Sequence, residues 1–282
     1  MPDPLRDPTP PRVGIRIVPA HPGDAAGIAR MVDRAVEAEA AGLGLVAIPE
    51  RLGAGGVPAA LPVCAAIAAR TTRIAIATAL LPLPFHHPLR AAEDGATVDA
   101  LSDGRFELGI GLGADRAALA GFGLEAADRG DRFEEAVALL RAAWSDGPIS
   151  HRGVHFAVEG IEVFPKPARP GGPPLWVGAR APGALVRAGR LRLGVLVEPG
   201  TDLAPYVEAW RDDVHPDVPA QAPAHGPDGP RVAMTGAADE IVPPARASST
   251  RGGPVSDVWI DIDPADATAI DRAAAVAGNW TP

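Results

Sequence analysis

The sequence predicts an α/β fold, a single (β/α)8 TIM barrel. Short apolar runs of strand length alternate with longer segments of helical periodicity four times in the first half of the chain. Strands that are apolar on both faces and separated by helices indicate a parallel sheet covered on both sides. The second half repeats the pattern less regularly and brings the candidate strands to eight. Eight strands favour a closed barrel over an open doubly wound sheet.

The first half is predicted to contain four strand–helix units. Asp24 and Asp128 suit helix N-caps, Pro88 suits a first helical turn, and Gly42 suits the end of a helix. The predicted elements are strand 13–18, a helix between Asp24 and Gly42, strand 43–48, helix 57–70, strand 73–78, a helix from Pro88 to Ser102, strand 105–110 and a helix after Asp128.

The second half contains the weaker units and two interruptions. Its predicted elements are strand 175–178, helix 182–190, strand 193–197, helix 202–213, strand 231–235, strand 257–262 and helix 265–277. Residues 150–174 are rich in glycine, proline and aromatic residues and predict an insertion with a hairpin. Pro243 and Pro244 interrupt the seventh helix, so the C-terminal third is expected to be irregular. We therefore expect one barrel domain over 1–282, with 1–12 as a disordered tail and 214–230 as a proline-rich loop.

Composition excludes several classes of function. With 26 basic and 35 acidic residues the net charge is −9, which argues against nucleic-acid binding. The single cysteine, Cys64, excludes a disulfide framework, and its apolar surroundings predict a buried thiol. His151 and His155 are separated by Gly153 and do not share a helix, so no metal site is expected. The N-terminus lacks a signal-peptide pattern and prolines interrupt the apolar run 74–89, so no membrane segment and a cytoplasmic location are expected.

Candidate site residues follow the strands, because the active site of such a barrel lies at the C-terminal ends of its strands. Gly109, Gly111 and Gly113 lie at the end of the fourth predicted strand. Three interpretations of this turn are open: a tight rim that binds no ligand, a rim over which a flat ligand stacks, and, with the poorest match in spacing, a dinucleotide-binding fingerprint. A second turn, 178–181, precedes a helix N-terminus that attracts anions; its Arg180 suits either a phosphate or a solvated surface.

Three polar side chains at neighbouring strand ends suit proton transfer. Glu50 follows the second strand and forms either a surface ion pair with Arg51 or part of the pocket lining. His86 and His87 follow the third strand. Since adjacent side chains of an extended segment point in opposite directions, one histidine is expected to face the pocket and the other the solvent, unless both are ordinary surface residues.

Taken together, these motifs resemble the bacterial luciferase-like monooxygenase superfamily. The shared order is an apolar strand ending in threonine, a His-Pro pair, a helix closing with Leu-Ser-x-Gly-Arg, and a strand running into Gly-x-Gly-x-Gly. Further matches follow the barrel's first half. The matching segments are 73–78, His87-Pro88, 101–105, 106–113, Gly123, Arg129, Glu135, 164–167 and 173–178.

The resemblance implies a TIM barrel that binds reduced FMN or the deazaflavin coenzyme F420 and acts as an oxidoreductase on a small organic substrate. It implies ring contacts at the first turn and phosphate capture at the second; a separate flavin reductase and a homodimer are compatible with it. The implied cofactor contacts are Thr78, Ala79, Gly109, Gly111, Gly113, Gly178, Ala179, Arg180 and Ala181. Glu50, His86 and His87 are the candidate catalytic residues, because their position at the strand ends would let a proton donor reach a ring or a substrate.

The sequence departs from the family pattern at several strand ends. Ala114 and Ala118 replace an aromatic or acidic residue and a glutamate, Ala181 replaces a hydroxyl residue, and Arg51 replaces a histidine. General acid–base groups typically contribute about 10²–10⁴-fold to a rate, so their loss could remove most activity. The alternative is therefore a catalytically inactive luciferase-like barrel that serves as a flavin-binding or interaction protein.

Overall fold

The computed structural model describes residues 12–18, 25–52, 59–198, 200–211, 232–236, 257–262 and 269–278. In chain order its strands are β1 (Arg12–Ile17), β2 (Leu45–Ile48), β3 (Ala75–Thr78), β4 (Leu81–Pro82), β5 (Phe106–Gly111), β6 (Ile149–Arg152), β7 (Ala157–Ile161), β8 (Leu175–Gly178), β9 (Gly194–Val197), β10 (Val232–Gly236) and β11 (Asp257–Ile262). Its helices are α1 (Ala25–Ala40), α2 (Ala60–Ala68), α3 (Pro88–Leu101), α4 (Arg116–Gly121), α5 (Arg129–Trp144), α6 (Pro182–Arg190), α7 (Ala204–Arg211) and α8 (Ala269–Gly278).

Eight parallel strands pair side by side in a closed ring, in the order β1, β2, β3, β5, β8, β9, β10, β11 and back to β1. Within the described residues, a helix follows every strand of this ring except β10. The predicted α/β barrel is thus confirmed in its sheet. The seventh helix, at 239–250, lies outside the described residues, so the complete set of eight units stays a prediction.

Strands β1, β2, β3, β5, β8 and β9 of the ring are largely buried on both faces. One face packs against the helices, and its residues, such as Val46 and Ile48, share one buried apolar cluster with Met31 of α1. The other face fills the barrel with mostly small side chains, among them Ala47 and Ala77. The interior residues are Leu45, Ala47, Ala75, Ala77, Ala79, Trp176, Leu196 and Ala233. Such two-sided burial explains why these strands read as continuous apolar runs rather than alternating ones.

A buried polar group is anchored inside the barrel. Glu107 of β5 accepts a hydrogen bond from the Trp176 indole nitrogen at 2.7 Å and pairs with Arg12 at 2.8 Å. Trp176 is fully buried and packs against Gly194, where a Cβ would lie 2.6 Å from its ring. A buried carboxylate that is both paired and hydrogen-bonded avoids the cost of an isolated charge.

The predicted insertion is confirmed as an antiparallel hairpin of β6 and β7. Glu135 of α5 holds it, because this carboxylate accepts hydrogen bonds from the His151 ring and from the amides of His155 and Phe156, each at 2.9 Å. Burial alone would raise the pKa of Glu135, but these hydrogen bonds outweigh it and hold the pKa below its usual value. His151 and His155 thus secure the hairpin.

Sequence periodicity missed two short elements that shape the mouth of the barrel. Pro82 and Pro84 read as breaks, yet Leu81 and Pro82 form β4 beside β5, and 83–85 form a 3-10 turn. Helix α4 is six residues long, too short for a periodic pattern. Asp115 caps it and accepts hydrogen bonds from the amides of Ala117 and Ala118 at 2.9 and 3.1 Å.

The remaining predictions concern the cysteine, a helix cap, membrane helices and the segments that the structure does not describe. Cys64 is buried as expected, and burial raises the pKa of its thiol. Asp128 occupies the N-cap of α5 but makes no capping hydrogen bond with its side chain. No helix among the described residues is long and apolar enough to cross a membrane. The expected tail 1–12, apart from Arg12, and the loop 214–230 lie outside the described residues.

Candidate active site

The first glycine turn lies where β3 and β5 approach most closely. The Thr78 hydroxyl is buried and donates to the Gly109 carbonyl oxygen at 2.6 Å. A Cβ at position 109 would lie 2.0 Å from the Thr78 carbonyl oxygen, far inside contact distance. Gly109 and Thr78 therefore hold the two strands together. This structural role is enough to explain why a glycine and a threonine stand at these positions.

Leu80 is a residue of this edge that the sequence analysis missed. It follows Ala79 across a cis peptide bond, and its side chain is half-buried against the interior core. A Cβ at Gly178 would lie 2.7 Å from Leu80 Cδ1, and one at Gly111 would lie 3.4 Å from it. Leu80 thus extends over the glycines of β5 and β8 and presents an apolar surface at the mouth of the barrel.

The second turn opens directly into α6. Ala181 is the N-cap residue and provides no capping side chain, and Pro182 occupies the first turn. A Cβ at Gly183 would meet no atom within 4 Å, so the helix start faces open space. The Ala179 amide donates to Leu196 at 3.1 Å and continues the sheet. This open N-terminus, with its positive end of the helix dipole, suits an anion.

Arg180 stands beside that helix start. Its side chain is 84% exposed and pairs with Glu198, at the end of β9, at 3.0 Å. An ion pair between side chains this exposed is weak, about 0–1 kcal/mol, so a stronger anion could displace Glu198.

Glu50 and His86 meet at the ends of β2 and β3. Glu50 Oε1 lies 3.1 Å from His86 Nε2, and the two side chains are 12% and 26% exposed. The other carboxylate oxygen accepts from the Ala60 amide, at the start of α2, at 2.8 Å. The predicted residues are thus brought together, with Glu50 fixed by a helix N-terminus and held against an imidazole.

His87 has a different environment. Its Nδ1 accepts from the Leu89 amide at 3.3 Å and caps α3, and its ring meets Phe156 edge-on at 5.5 Å between centroids. Desolvation, and then the positive charge of Arg132, lower the pKa of His87. The two histidines therefore have different surroundings, since His86 lies against Glu50 and His87 is exposed at the helix cap. That one of them faces a substrate pocket stays a prediction.

A cavity of about 520 Å³ lies elsewhere, on the outer side of the barrel between α5 and the hairpin. Glu134, Glu135, Arg141 and His151 line it, and most of their polar groups are bonded within the fold: Glu134 to Arg187, Glu135 to the hairpin, and two Arg141 nitrogens to the carbonyl oxygens of Leu191 and Arg192. The Nε of Arg141 is buried without a hydrogen-bond partner in the part of the chain that the structure describes. The chemistry-bearing side chains at the strand ends make that edge the candidate active site instead.

A family model described as luciferase-like monooxygenase matches residues 12–238. The chain belongs to the luciferase-like monooxygenase family. An F420-dependent glucose-6-phosphate dehydrogenase of Nakamurella multipartita is 31% identical over 201 residues, which are 67% of this chain and 58% of that protein. The chain spans about half the length of the curated relatives it matches.

Two solved structures of oxidoreductases share the fold. An F420-dependent secondary alcohol dehydrogenase in complex with an F420–acetone adduct superposes with a TM-score of 0.73 at 15% identity, over 97% of this chain and all of that one. The oxygenating constituent of 3,6-diketocamphane monooxygenase from Pseudomonas putida, in complex with FMN, gives 0.66 at 20% identity, over 81% and 67% of the two chains.

Proposed function

We propose that this luciferase-like chain is an oxidoreductase that binds FMN or coenzyme F420 at the C-terminal edge of the barrel and acts on a small organic substrate. The observation that carries the proposal is the uncapped, open start of α6, with Arg180 beside it, at the same edge as the glycine rim. Family membership and the F420- and FMN-dependent proteins among the relatives and neighbours support it.

In this proposal the edge holds the cofactor at two places. Gly178, Ala179, Arg180 and Ala181 hold the phosphate through the α6 N-terminus and the guanidinium. The ring lies on Leu80 at the rim, beside the partly exposed Gly111 and Gly113. The other predicted contacts, Thr78, Ala79 and Gly109, are buried, and they support the rim without a surface of their own for the ring. When bound, a reduced flavin or deazaflavin supplies the reducing equivalents of the reaction.

Within the same proposal, Glu50 and His86 move a proton at the substrate. The carboxylate at 3.1 Å orients the imidazole, and it is itself fixed by the Ala60 amide, so the pair is held without substrate. An oriented imidazole suits general acid–base catalysis near neutral pH. In this proposal His87 caps α3. Its predicted catalytic role is tested by mutation.

Cofactor binding is tested by comparing FMN with riboflavin, which lacks the phosphate. We expect FMN to bind at least about tenfold more tightly, because charge-assisted hydrogen bonds would be lost with riboflavin. Arg180→Ala should weaken FMN binding about two- to fivefold and leave riboflavin unchanged. Glu198→Ala, which frees Arg180, is the matched control and should not weaken FMN. The same titration with F420 decides between the cofactors, and binding of neither one contradicts the proposal.

Proton transfer is tested with the probe substrates glucose 6-phosphate and 2-propanol and the cofactor that binds. His86→Ala and Glu50→Gln should lower kcat about 10²–10⁴-fold without changing cofactor affinity. His87→Asn keeps a capping side chain and should retain turnover if His87 only caps α3. Full turnover in both the Glu50 and His86 variants would remove this pair from the mechanism. Cofactor binding without turnover on a broad substrate panel would favour the inactive-barrel alternative.

We also propose a cytoplasmic location and a homodimer, and, if FMN is the cofactor, a separate flavin reductase that supplies it in reduced form. The family resemblance supports these proposals. Fractionation of cells that express the chain tests the location, sedimentation of the purified chain tests the homodimer, and turnover assays with and without an added reductase test the electron source.

A further inference from the structure

The Glu50–His86 pair is anchored from one side only. Glu50 is fixed by the Ala60 amide at the start of α2, at 2.8 Å. Among the described residues, the His86 ring forms a hydrogen bond with Glu50 alone. The direction of the imidazole therefore depends on how the backbone of residues 85–87 is held in place.

His87 holds this segment against the hairpin. Its ring meets the Phe156 ring edge-on, with 5.5 Å between the centroids, which is a favourable geometry for two rings. Phe156 lies in the turn between β6 and β7 and is only 6% exposed, and its amide donates to Glu135 at 2.9 Å. The contact thus connects a firmly held residue of the hairpin to the neighbour of His86.

Arg132 of α5 holds the Phe156 ring in turn. Its guanidinium carbon lies 4.4 Å from the ring centroid. In the part of the chain that the structure describes, no carboxylate pairs with Arg132, and its Nε is buried without a hydrogen-bond partner. A cation–π contact is strongest where the cation has lost water, so the aromatic ring is the main partner of this charge.

The segment 85–87 has a second aromatic contact, and it is the more open one. The rings of Phe85 and Phe122 lie 5.0 Å apart, but Phe122 is 51% exposed. Since close packing on all sides is what resists displacement, the buried contact of Phe156 with His87 holds the segment more firmly.

We propose that Phe156 and Arg132 are positioning residues of the candidate active site. They hold the His87 ring, and through the backbone of His87 they direct the His86 imidazole toward Glu50. The hairpin is then a supporting part of the site as well as an insertion on the barrel. This inference rests on the proposed function, because it concerns the pair to which proton transfer is assigned there. Groups that act on a substrate need such support to keep their geometry.

The test is NMR of the cofactor-free chain labelled with ¹⁵N-histidine, at about pH 8, where most histidines are neutral. Wild-type His86 should show one tautomer, with its proton on Nε2, because that nitrogen donates to the Glu50 carboxylate. Phe156→Leu keeps a buried apolar side chain but loses both ring contacts, and it should give a mixture of the two tautomers. Val158→Ala is the matched control, since Val158 of β7 is partly buried and packs against the core. It should leave the His86 signal unchanged.

Arg132→Gln keeps the apolar packing of the hairpin and tests the same contact by a second route. It should raise the pKa of His87, because the positive charge of Arg132 disfavours the protonated imidazole. It should also change the His86 tautomer in the same sense as Phe156→Leu. Arg152→Gln removes an exposed charge from β6 and should change neither signal. Circular dichroism establishes that each variant is folded, and Arg132→Gln decides the outcome if Phe156→Leu is not.

The kinetic readout is the division between kcat and KM. With the cofactor that binds, Phe156→Leu should lower kcat, by up to about 10²-fold if the imidazole is misplaced by about 1 Å, and leave KM little changed. An unchanged His86 signal in both Phe156→Leu and Arg132→Gln would overturn the inference. An equal change in Val158→Ala would overturn it too, because general loosening of the hairpin would then be the cause.

Titration of FMN and F420 against the wild type separates this inference from the proposed function. A His86 tautomer that depends on Phe156 in a chain that binds neither cofactor rejects the oxidoreductase proposal and supports the positioning of His86 by the hairpin. Cofactor binding and turnover with a His86 signal indifferent to both variants reject the positioning role and leave the oxidoreductase proposal standing.

Discussion

At position 109 the backbones of β3 and β5 are so close that a side chain would collide with the Thr78 carbonyl oxygen, 2.0 Å from the expected Cβ. The same place is tied by the hydrogen bond from the Thr78 hydroxyl to Gly109. From the sequence alone, this glycine is a possible approach point for a ligand. Its first role is to let two strands of the ring meet, and any ligand contact is additional.

We therefore expect Gly109→Ala to destabilise the fold by about 1–3 kcal/mol, the usual cost of forcing extra volume into a packed site. Gly183→Ala is the control, since a Cβ there meets no atom within 4 Å and alanine favours a helix. Urea unfolding followed by tryptophan fluorescence measures both. If the two variants unfolded at the same urea concentration, the close approach of β3 and β5 would not be a constraint on stability.

Elements with strong terminal signals could be predicted from the sequence, and short ones could not. Helix α6 begins at Pro182 and ends at Arg190 as predicted, because a proline in the first turn and an apolar face define it. Helix α4 has six residues and its Asp115 cap stands in an alanine-rich segment, so no periodicity identified it. This matters for the mouth of the barrel, because α4 directly follows the glycine rim of β5.

We expect Asp115→Ala to weaken α4, because both capping hydrogen bonds are lost; N-cap replacements by alanine cost about 0.5–2 kcal/mol. Hydrogen exchange at the Ala117 and Ala118 amides should become faster. The matched control is Asp128→Ala, at the N-cap of α5, where the side chain makes no capping bond and a smaller effect is expected. Unchanged exchange in the Asp115 variant would mean that packing of Leu119 alone holds this helix.

At the scale of the whole molecule, the order of the ring could be predicted, but not the contacts across it. Alternating strands and helices give a parallel barrel because each crossover packs on the sheet with the same hand. The meeting of Glu50 with His86, 36 residues away, and of Leu80 with Gly178 depends on side-chain directions at the mouth. Nothing local in the sequence specifies those directions, so the sequence does not single out Leu80 and leaves both interpretations of Glu50 open.

The closed ring also determines how a ligand should affect stability. The proposed cofactor site draws on β3, β5 and β8, and each of them pairs with both of its neighbours in the ring. A ligand that binds the folded state alone, at 100 times its Kd, stabilises it by about 2.7 kcal/mol. For a chain of this size that corresponds to a rise in Tm of roughly 5–10 °C.

We expect this rise, as one cooperative transition, with whichever of FMN and F420 binds. Riboflavin at the same concentration as FMN should give a smaller rise, because its Kd is expected to be higher. Differential scanning calorimetry measures both, and the tryptophan fluorescence, to which Trp176 inside the ring and four other tryptophans contribute, should change at the same temperature. A ligand that binds by titration but leaves Tm unchanged, or that moves only one of two separate transitions, would show that the site is not built on the ring as a whole.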